Sequence, residues 1–479
     1  MSFDYEAADR LIAETWRDEL IPRLKEYIAI PALSPAFDAN WQNTGHLGRA
    51  VDLVEDWMRA QPIEGMTVWR QELDGRTPVV LAEIAPYGAQ GRDDAGTTIL
   101  YGHLDKQPEM EGWRDDLSPW TPVMEGTRLY GRGGADDGYA AFASLTAIQA
   151  VQSAGGSHGR LVVLIEASEE SGSPDLPAHV EALADRLGEV ELVVCLDSGC
   201  ANYETLWLTS SLRGLVEGTL DIKIVEEGLH SGGVGGVVPS SFRIARMLLD
   251  RVETAQTGEL LLDGATVEIP EHRVAEAEAT ADFLGDAAVE TVPYVAGAGP
   301  AVAEPVEALL AKTWRPSLSY TGVDGMPAVA SAGNVLRPGT ALKLSLRVPP
   351  TADPDRVLAE LTGALEADPP YGASVAFSDS GAAPGWNAPD LAPWLRTALD
   401  EASSRQFGQA MQLYGEGGTI PFMGMLGDKF PAAQFVITGV LGPESNAHGP
   451  NEFLDVAFAE KLTCCLAEVL DAAIRPTTS

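Results

Sequence analysis

Three short apolar runs in the first half of the chain each stop at a carboxylate, and that repetition narrows what the chain can fold into. Thr98-Ile99-Leu100-Tyr101 runs into Gly102-His103-Leu104-Asp105. Arg160–Ala167 runs into Ser168-Glu169-Glu170-Ser171-Gly172-Ser173, and Glu191–Leu196 stops at Asp197. Short apolar runs bounded by glycine or polar clusters predict buried strands. Between them lie stretches with helical character, the Ala-rich Tyr139–Ser153 and then Leu176–Leu187. Strand, acidic loop and helix in repetition predict an α/β sheet whose site lies at the carboxyl ends of its strands.

The flanking segments fit the same class. Apolar residues at helical spacing (Leu11, Ile12, Trp16, Leu20, Leu24, Ile28) predict a helix over Asp9–Ile28, and a second covers His46–Arg59. Met66–Gln71 and Pro78–Ile84 read as strands. The character changes after Arg213: Leu215–Val225 and Thr340–Val348 alternate like half-exposed strands. Helices are expected near Pro239–Val252 and Asp353–Ala367, and one more strand at Ser374–Phe377. The stretch before Thr340 reads as irregular. This β-α-β-α-β pattern predicts an inserted α+β domain over 214–380, which splits the first domain into 1–213 and 381–479. The chain then returns to helices at Leu391–Ser404 and Asp455–Ile474, with a strand at Gln434–Thr438.

Composition excludes several function classes. The chain has 479 residues, 45% of them hydrophobic, which is ample for a sizeable core. Its 70 acidic and 32 basic residues leave a net charge of −38, which disfavours nucleic acid and anionic membranes as partners. Four cysteines without a CxxC pair point to a reduced compartment. The segment Met1–Arg17 lacks a basic region followed by an apolar core, and no run of about 18 apolar residues occurs. A cytoplasmic protein is the expectation.

The acids and histidines at the ends of the apolar runs form a candidate metal constellation. On extended backbone His103 and Asp105 share a face, so the acid can hold one imidazole nitrogen while the other faces a metal. Further candidates are Asp136 and Asp137 after Tyr130-Gly131-Arg132-Gly133, then Glu169 and Glu170, Asp197, and His448 within Ser445-Asn446-Ala447-His448-Gly449-Pro450. Adjacent carboxylates repel unless a cation or a proton relieves them. Imidazole and carboxylate without thiolate suit Zn²⁺, Mn²⁺ or Co²⁺ in a hydrolytic site. Two histidines and three carboxylates suffice for two ions about 3.5–4 Å apart that share a hydroxide, with one more carboxylate as general base.

The motifs Gly102-His103-Leu104-Asp105, Tyr130-Gly131-Arg132-Gly133 through Asp136-Asp137, Glu169-Glu170-Ser171-Gly172-Ser173, Leu229-His230-Ser231-Gly232 and Glu416-Gly417-Gly418-Thr419-Ile420-Pro421 occur in this order. In them the chain resembles the co-catalytic zinc peptidase family of carnosinases, cytosolic nonspecific dipeptidases, aminoacylases and desuccinylases, the dipeptidase branch above all. The resemblance implies a mixed-sheet catalytic domain of zinc-exopeptidase type plus an inserted lid and dimerisation domain. It implies two divalent ions per subunit, with His103 and Asp197 on one, Glu170 and His448 on the other, and Asp136 bridging. Glu169 would be the general base, and Asp105 would orient His103. His230 would reach the partner subunit's site and stabilise the oxyanion. Arg347 would clamp a substrate carboxylate, and Asn334, Gly418 and Thr419 would line the cleft. The implied activity is hydrolysis of short peptides bearing a free carboxylate. An N-acyl-amino-acid deacylase is the alternative, and a catalytically inactive metal-dependent binding protein the alternative of another class. Three places depart from the branch: Asn334 stands where it often carries Thr, the residues around His448 differ from its dipeptidases, and the order Leu196-Asp197-Ser198 places the acid one residue early, which on a strand would turn it to the other face.

Overall fold

The computed structural model of the protein describes residues 3–88, 96–290, 292 and 294–474. The chain divides into two compact units. The first comprises the residues up to 210, 388–414 and those from 425 onward; the second comprises 211–387 and 415–424.

The first unit is built on a six-stranded mixed sheet. Its strands are β1 (Met66–Gln71), β2 (Val79–Ile84), β3 (Thr97–His103), β4 (Arg160–Glu166), β5 (Val190–Cys195) and β6 (Gln434–Ile437), in the order β1-β2-β4-β3-β5-β6. The pairs β1/β2 and β2/β4 are antiparallel, whereas β4, β3, β5 and β6 run parallel. Every residue of β3 is buried, as expected of a parallel strand covered on both faces. Register decides where the chemistry falls. His103 pairs with Glu166 on β4, and Tyr101 with Cys195 on β5, so the three strands end together. The residues that follow them therefore emerge along one edge.

Helices cover this sheet. Ala140–Ser153 is apolar nearly all round and is buried along most of its length, as a fully internal helix must be. The first helix begins at Tyr5, earlier than the apolar spacing predicts, because Asp4 caps it by accepting from the Ala7 amide at 3.0 Å. A π-helical turn, Trp16–Leu20, joins it to Ile21–Ile28. Within that turn the Trp16 indole donates to Thr463 Oγ1 at 3.0 Å, tying the start of the chain to the last helix, Val456–Ala472.

The second unit carries a four-stranded antiparallel sheet in the order 317–324, 339–348, 214–223, 374–383. Alternate residues of Gly214–Lys223 and Gly339–Val348 are buried, and they form a core with the helices Ser241–Leu249 and Pro354–Glu366. The sequence pattern leads to three of the four strands. The fourth, Ser317–Asp324, falls in the stretch read as irregular. It is an edge strand, exposed from Ser319 onward and broken by a bulge at Tyr320/Gly322, so no hydrophobic alternation marks it. Helix Glu271–Leu284 is hidden for a related reason: only Arg273, Ala277, Thr280 and Ala281 are buried on it. Among the described residues no helix is long and apolar enough to cross a membrane.

Gly102 lies where β3 passes close to the start of the internal helix. A Cβ there would sit 2.6 Å from Ala140 Cβ and 2.8 Å from Asp137 Oδ2. Gly102→Ala is expected to cost about 1–3 kcal/mol through overpacking, read from urea unfolding midpoints, with a loss of activity from the displaced His103 beside it.

Candidate metal centre

His103 closes β3 and is fully buried. Its Nδ1 faces the backbone carbonyl oxygen of Asp105 at 3.1 Å and Asp105 Oδ1 at 3.5 Å. Donation from Nδ1–H leaves the Nε2 of a neutral ring as a lone pair. That lone pair points at acids: Asp136 Oδ1 at 3.3 Å, Asp197 Oδ1 at 3.7 Å and Glu169 Oε2 at 3.9 Å. The other carboxylate oxygen of Asp136 lies 3.0 Å from His448 Nε2, which is also 3.3 Å from Glu170 Oε2. One carboxylate thus stands between two imidazoles, each with further acids around it. A cis peptide links Asp136 to Asp137, which is fully buried and whose Oδ2 accepts from the His103 amide at 3.3 Å.

Each residue reaches this cluster for a local reason. Glu169 and Glu170 form a short 3₁₀ turn after β4, closed by Gly172 in the left-handed region. The Asp105 carboxylate grips that turn: Oδ1 accepts from the Glu169 amide at 3.1 Å and Oδ2 from the Glu170 amide at 3.0 Å. Asp105 therefore orients His103 mainly through its backbone oxygen, and its side chain holds the neighbouring loop. Asp197 reaches His103 although its motif is shifted by one residue. The strand β5 ends at Cys195, so Asp197 stands beyond the extended backbone and the alternation of faces does not govern it. His448 sits in a loop where Glu444, Asn446, His448 and Asn451 all have positive φ. A buried ion pair secures that loop. Arg132 Nη1 donates to Glu452 Oε2 at 2.5 Å, Arg132 Nη2 donates to the Gly449 carbonyl oxygen at 2.7 Å, and the Gly133 amide donates to Glu452 Oε1 at 2.9 Å.

The charge balance shows what the cluster is built to hold. Four carboxylates, Asp136, Glu169, Glu170 and Asp197, meet at two imidazoles, and among the described residues no Lys or Arg forms an ion pair with any of them. Glu170 has one neutral donor, Gln107 Nε2 at 2.6 Å. Among the described residues, Asp137 Oδ1 is buried without a hydrogen-bond partner. Burial, and next the charge of Asp197, push the Glu169 carboxyl well above its usual range; burial and then Asp136 push Glu170 up. Burial works to lower both histidines, but Asp197, Asp105 and Asp136 drive His103 well up, and hydrogen bonds to Asp136 and Glu170 push His448 up to about 11. The site demands positive charge, and a proton on each ring is the substitute when no cation is bound. Two triads have ligand atoms close enough to share an ion: His103 with Asp136 and Glu170, and His103 with Asp137 and Asp197. Imidazole with carboxylate is the donor set of hydrolytic divalent ions. The residues fit such ions.

The remaining predicted residues belong to the second unit. Arg347 is half-buried, and its Nη1 donates to Thr419 Oγ1 at 2.6 Å; that hydroxyl donates to the Arg213 carbonyl oxygen, also at 2.6 Å. The Arg213 guanidinium donates to the Gly417 carbonyl oxygen at 3.1 Å, and burial, then Arg347, lowers its pKa to about 10. Gly418 is exposed. His230 is exposed and pairs with Val335 across a two-residue ladder; its Nδ1 accepts from the Gly232 amide at 3.1 Å. The proton of the neutral ring then sits on Nε2. Asn334 is exposed beside it, its carbonyl accepting from the Ser231 amide at 2.9 Å.

Comparison with known proteins gives the family of the chain. Residues 99–472, which include every residue described in this subsection, match the model of peptidase family M20/M25/M40. The chain belongs to that family. A cysteinylglycine-S-conjugate dipeptidase of Corynebacterium striatum is 28% identical over 426 residues, covering 86% of this chain and 88% of the relative. A Beta-Ala-His dipeptidase of Mus musculus is 28% identical over 365 residues, covering 73% and 71%. The solved structure of the dipeptidase Dug1p of Saccharomyces cerevisiae has the same fold, with a TM-score of 0.78 at 22% identity over 99% of this chain and all of that one.

Sequence reasoning did not assign Gln107, Arg132 or Glu452 to the family site. Arg132 lies inside a quoted motif and Glu452 four residues past His448, but a buried pair between distant segments leaves no local pattern. The grip of Asp105 on the Glu169–Glu170 turn is directly testable. Asp105→Asn keeps the shape but turns one of two acceptors into a donor. It is expected to lower kcat by about 10–100-fold while circular dichroism stays unchanged.

Proposed function

We propose that the protein is a metal-dependent dipeptidase that hydrolyses the amide bond of short peptides with a free carboxylate. The observation that carries this reading is the Asp136 carboxylate standing between His103 and His448, with Glu169 at the same edge. The names of the relatives, a cysteinylglycine-S-conjugate dipeptidase and a Beta-Ala-His dipeptidase, support the substrate class. His103 and Asp197 would hold one divalent ion, His448 and Glu170 a second, with Asp136 shared; Zn²⁺, Mn²⁺ and Co²⁺ all suit the donors. When bound, such ions polarise the scissile carbonyl and acidify water.

The protein's own residues do the rest. Glu169 takes the proton of the attacking water and delivers it to the leaving nitrogen, a task for a carboxylate whose hold on a proton is strengthened by burial. Asp105, through its two amide contacts, keeps Glu169 and Glu170 from turning away. Arg347 binds the substrate carboxylate, with Thr419 holding its guanidinium in place. Gly418 and Asn334 complete the substrate contacts. His230 offers Nε2–H to the developing oxyanion, acting from the partner subunit of a homodimer in which the second unit is both dimerisation surface and lid. The protein works in the cytoplasm.

Glu169→Gln cannot accept a proton. It is expected to lower kcat by at least about 10²-fold with the bound-metal stoichiometry unchanged by elemental analysis; near-normal turnover would refute the base assignment. A substrate panel separates the two hydrolytic readings. Dipeptides should be cleaved well and their C-terminal amides poorly, and faster turnover of N-acetyl or N-succinyl amino acids would favour a deacylase.

A further inference from the structure

Glu166 is the last residue of β4 and is 1% exposed. No Lys or Arg pairs with it among the described residues. A buried carboxylate without a cation costs several kcal/mol unless hydrogen bonds compensate, so filling space does not account for its presence. Three hydroxyls converge on it. Tyr101 donates to Oε1 at 2.6 Å, Ser173 to Oε1 at 2.8 Å, and Ser168 to Oε2 at 3.1 Å.

The donors lie where the geometry of the site is decided. Ser168 begins the loop that carries Glu169 and Glu170, and Ser173 ends it. The loop is closed by the Ser173 amide donating to the Ser168 carbonyl oxygen at 3.0 Å. Ser173 has φ +52, a conformation a non-glycine residue keeps only when its surroundings enforce it. Tyr101 stands two residues before His103 on β3. The backbone of Glu166 adds a further tie, because its carbonyl oxygen accepts from the Leu104 amide at 3.0 Å. One side chain thus joins the strand of His103 to both ends of the Glu169–Glu170 loop.

We propose that Glu166 is a positioning residue for hydrolysis: as the common acceptor of Tyr101, Ser168 and Ser173, it sets the place of Glu169 and Glu170 relative to His103. This rests on the reading of Glu169 as general base. A carboxylate only accepts and so takes all three hydroxyls as donors at once; the amide of a glutamine would donate at one of the two positions, forcing a hydroxyl there to turn and accept and so changing the pattern of the three bonds. The effect appears in turnover more than in substrate affinity, since a misplacement of about 1 Å can cost on the order of 10²-fold in rate.

The test uses the full-length protein carrying Glu166→Gln, Glu169→Gln and the pair together. At saturating Mn²⁺, Glu166→Gln should lower kcat by about 10–100-fold with KM within about threefold of the parent. In the Glu169→Gln background it should lower kcat no further, because it acts through Glu169. Hydrogen exchange on the metal-free protein supplies a readout independent of turnover: amides of 168–173 should exchange faster in Glu166→Gln while those of β3 and β5 stay unchanged. Ser168→Ala combined with Ser173→Ala, which spares the buried carboxylate, should reproduce these effects, and it carries the test should Glu166→Gln fail to fold. Parental kcat, an equal loss in both backgrounds, or faster exchange throughout the sheet overturns the proposal. A Glu169→Gln variant that itself turned over normally would overturn the base assignment instead, and the exchange result would then decide the positioning role alone.

Discussion

The structure of the first unit turns on a concentration of negative charge at one edge of a buried sheet. Four carboxylates gather around two imidazoles with no basic side chain paired to them among the described residues. Such an arrangement is costly in a folded protein, because like charges in a poorly solvated place repel. The fold bears the cost by anchoring the loops that carry Glu169, Glu170 and His448. The same repulsion makes the site a strong receptor for divalent ions: the energy lost by crowding the acids returns when a cation enters.

That holding is itself largely done by carboxylates, which divides the acids into two classes. Asp136, Glu169, Glu170 and Asp197 face the centre. Asp105, Glu166 and Glu452 face backbone amides, hydroxyls and one guanidinium, and fix the loops on which the first class rides. The second class is buried because a hydrogen bond to an ionised acceptor is worth more in a dry environment and fixes geometry more tightly. In the second unit, Arg347 and Arg213 are linked through Thr419 and its carbonyl partner, with no acid in ion-pair contact among the described residues. The proposed binding of a substrate carboxylate rests on these two cations.

Much of this was legible in the sequence, and the reason is local. A buried parallel strand must be apolar, and the first residue able to carry chemistry is the one that follows it. His103, Glu169, Glu170 and Asp197 are therefore announced by the runs before them. The internal helix Ala140–Ser153 shows the same logic through its alanines. Where burial is partial the signal fades. The edge strand Ser317–Asp324 is largely exposed, and the helix Glu271–Leu284 buries only Arg273, Ala277, Thr280 and Ala281, so neither shows a broad apolar face and both read as irregular.

The sequence by itself determined the class of fold, the identity of the acids and histidines, and their order along the chain, since those follow from hydrophobic pattern and residue chemistry. Only the tertiary structure decided which groups meet. Register between β3, β4 and β5 brings His103, the Glu169–Glu170 turn and Asp197 to one level. The distance between Asp136 and His448, the division of Asp105 between ring and loop, and the burial of Glu166 and Glu452 are likewise contacts between segments far apart in the chain. A sequence motif records what a residue can do, whereas the packing of distant strands and loops selects the partner with which it does it.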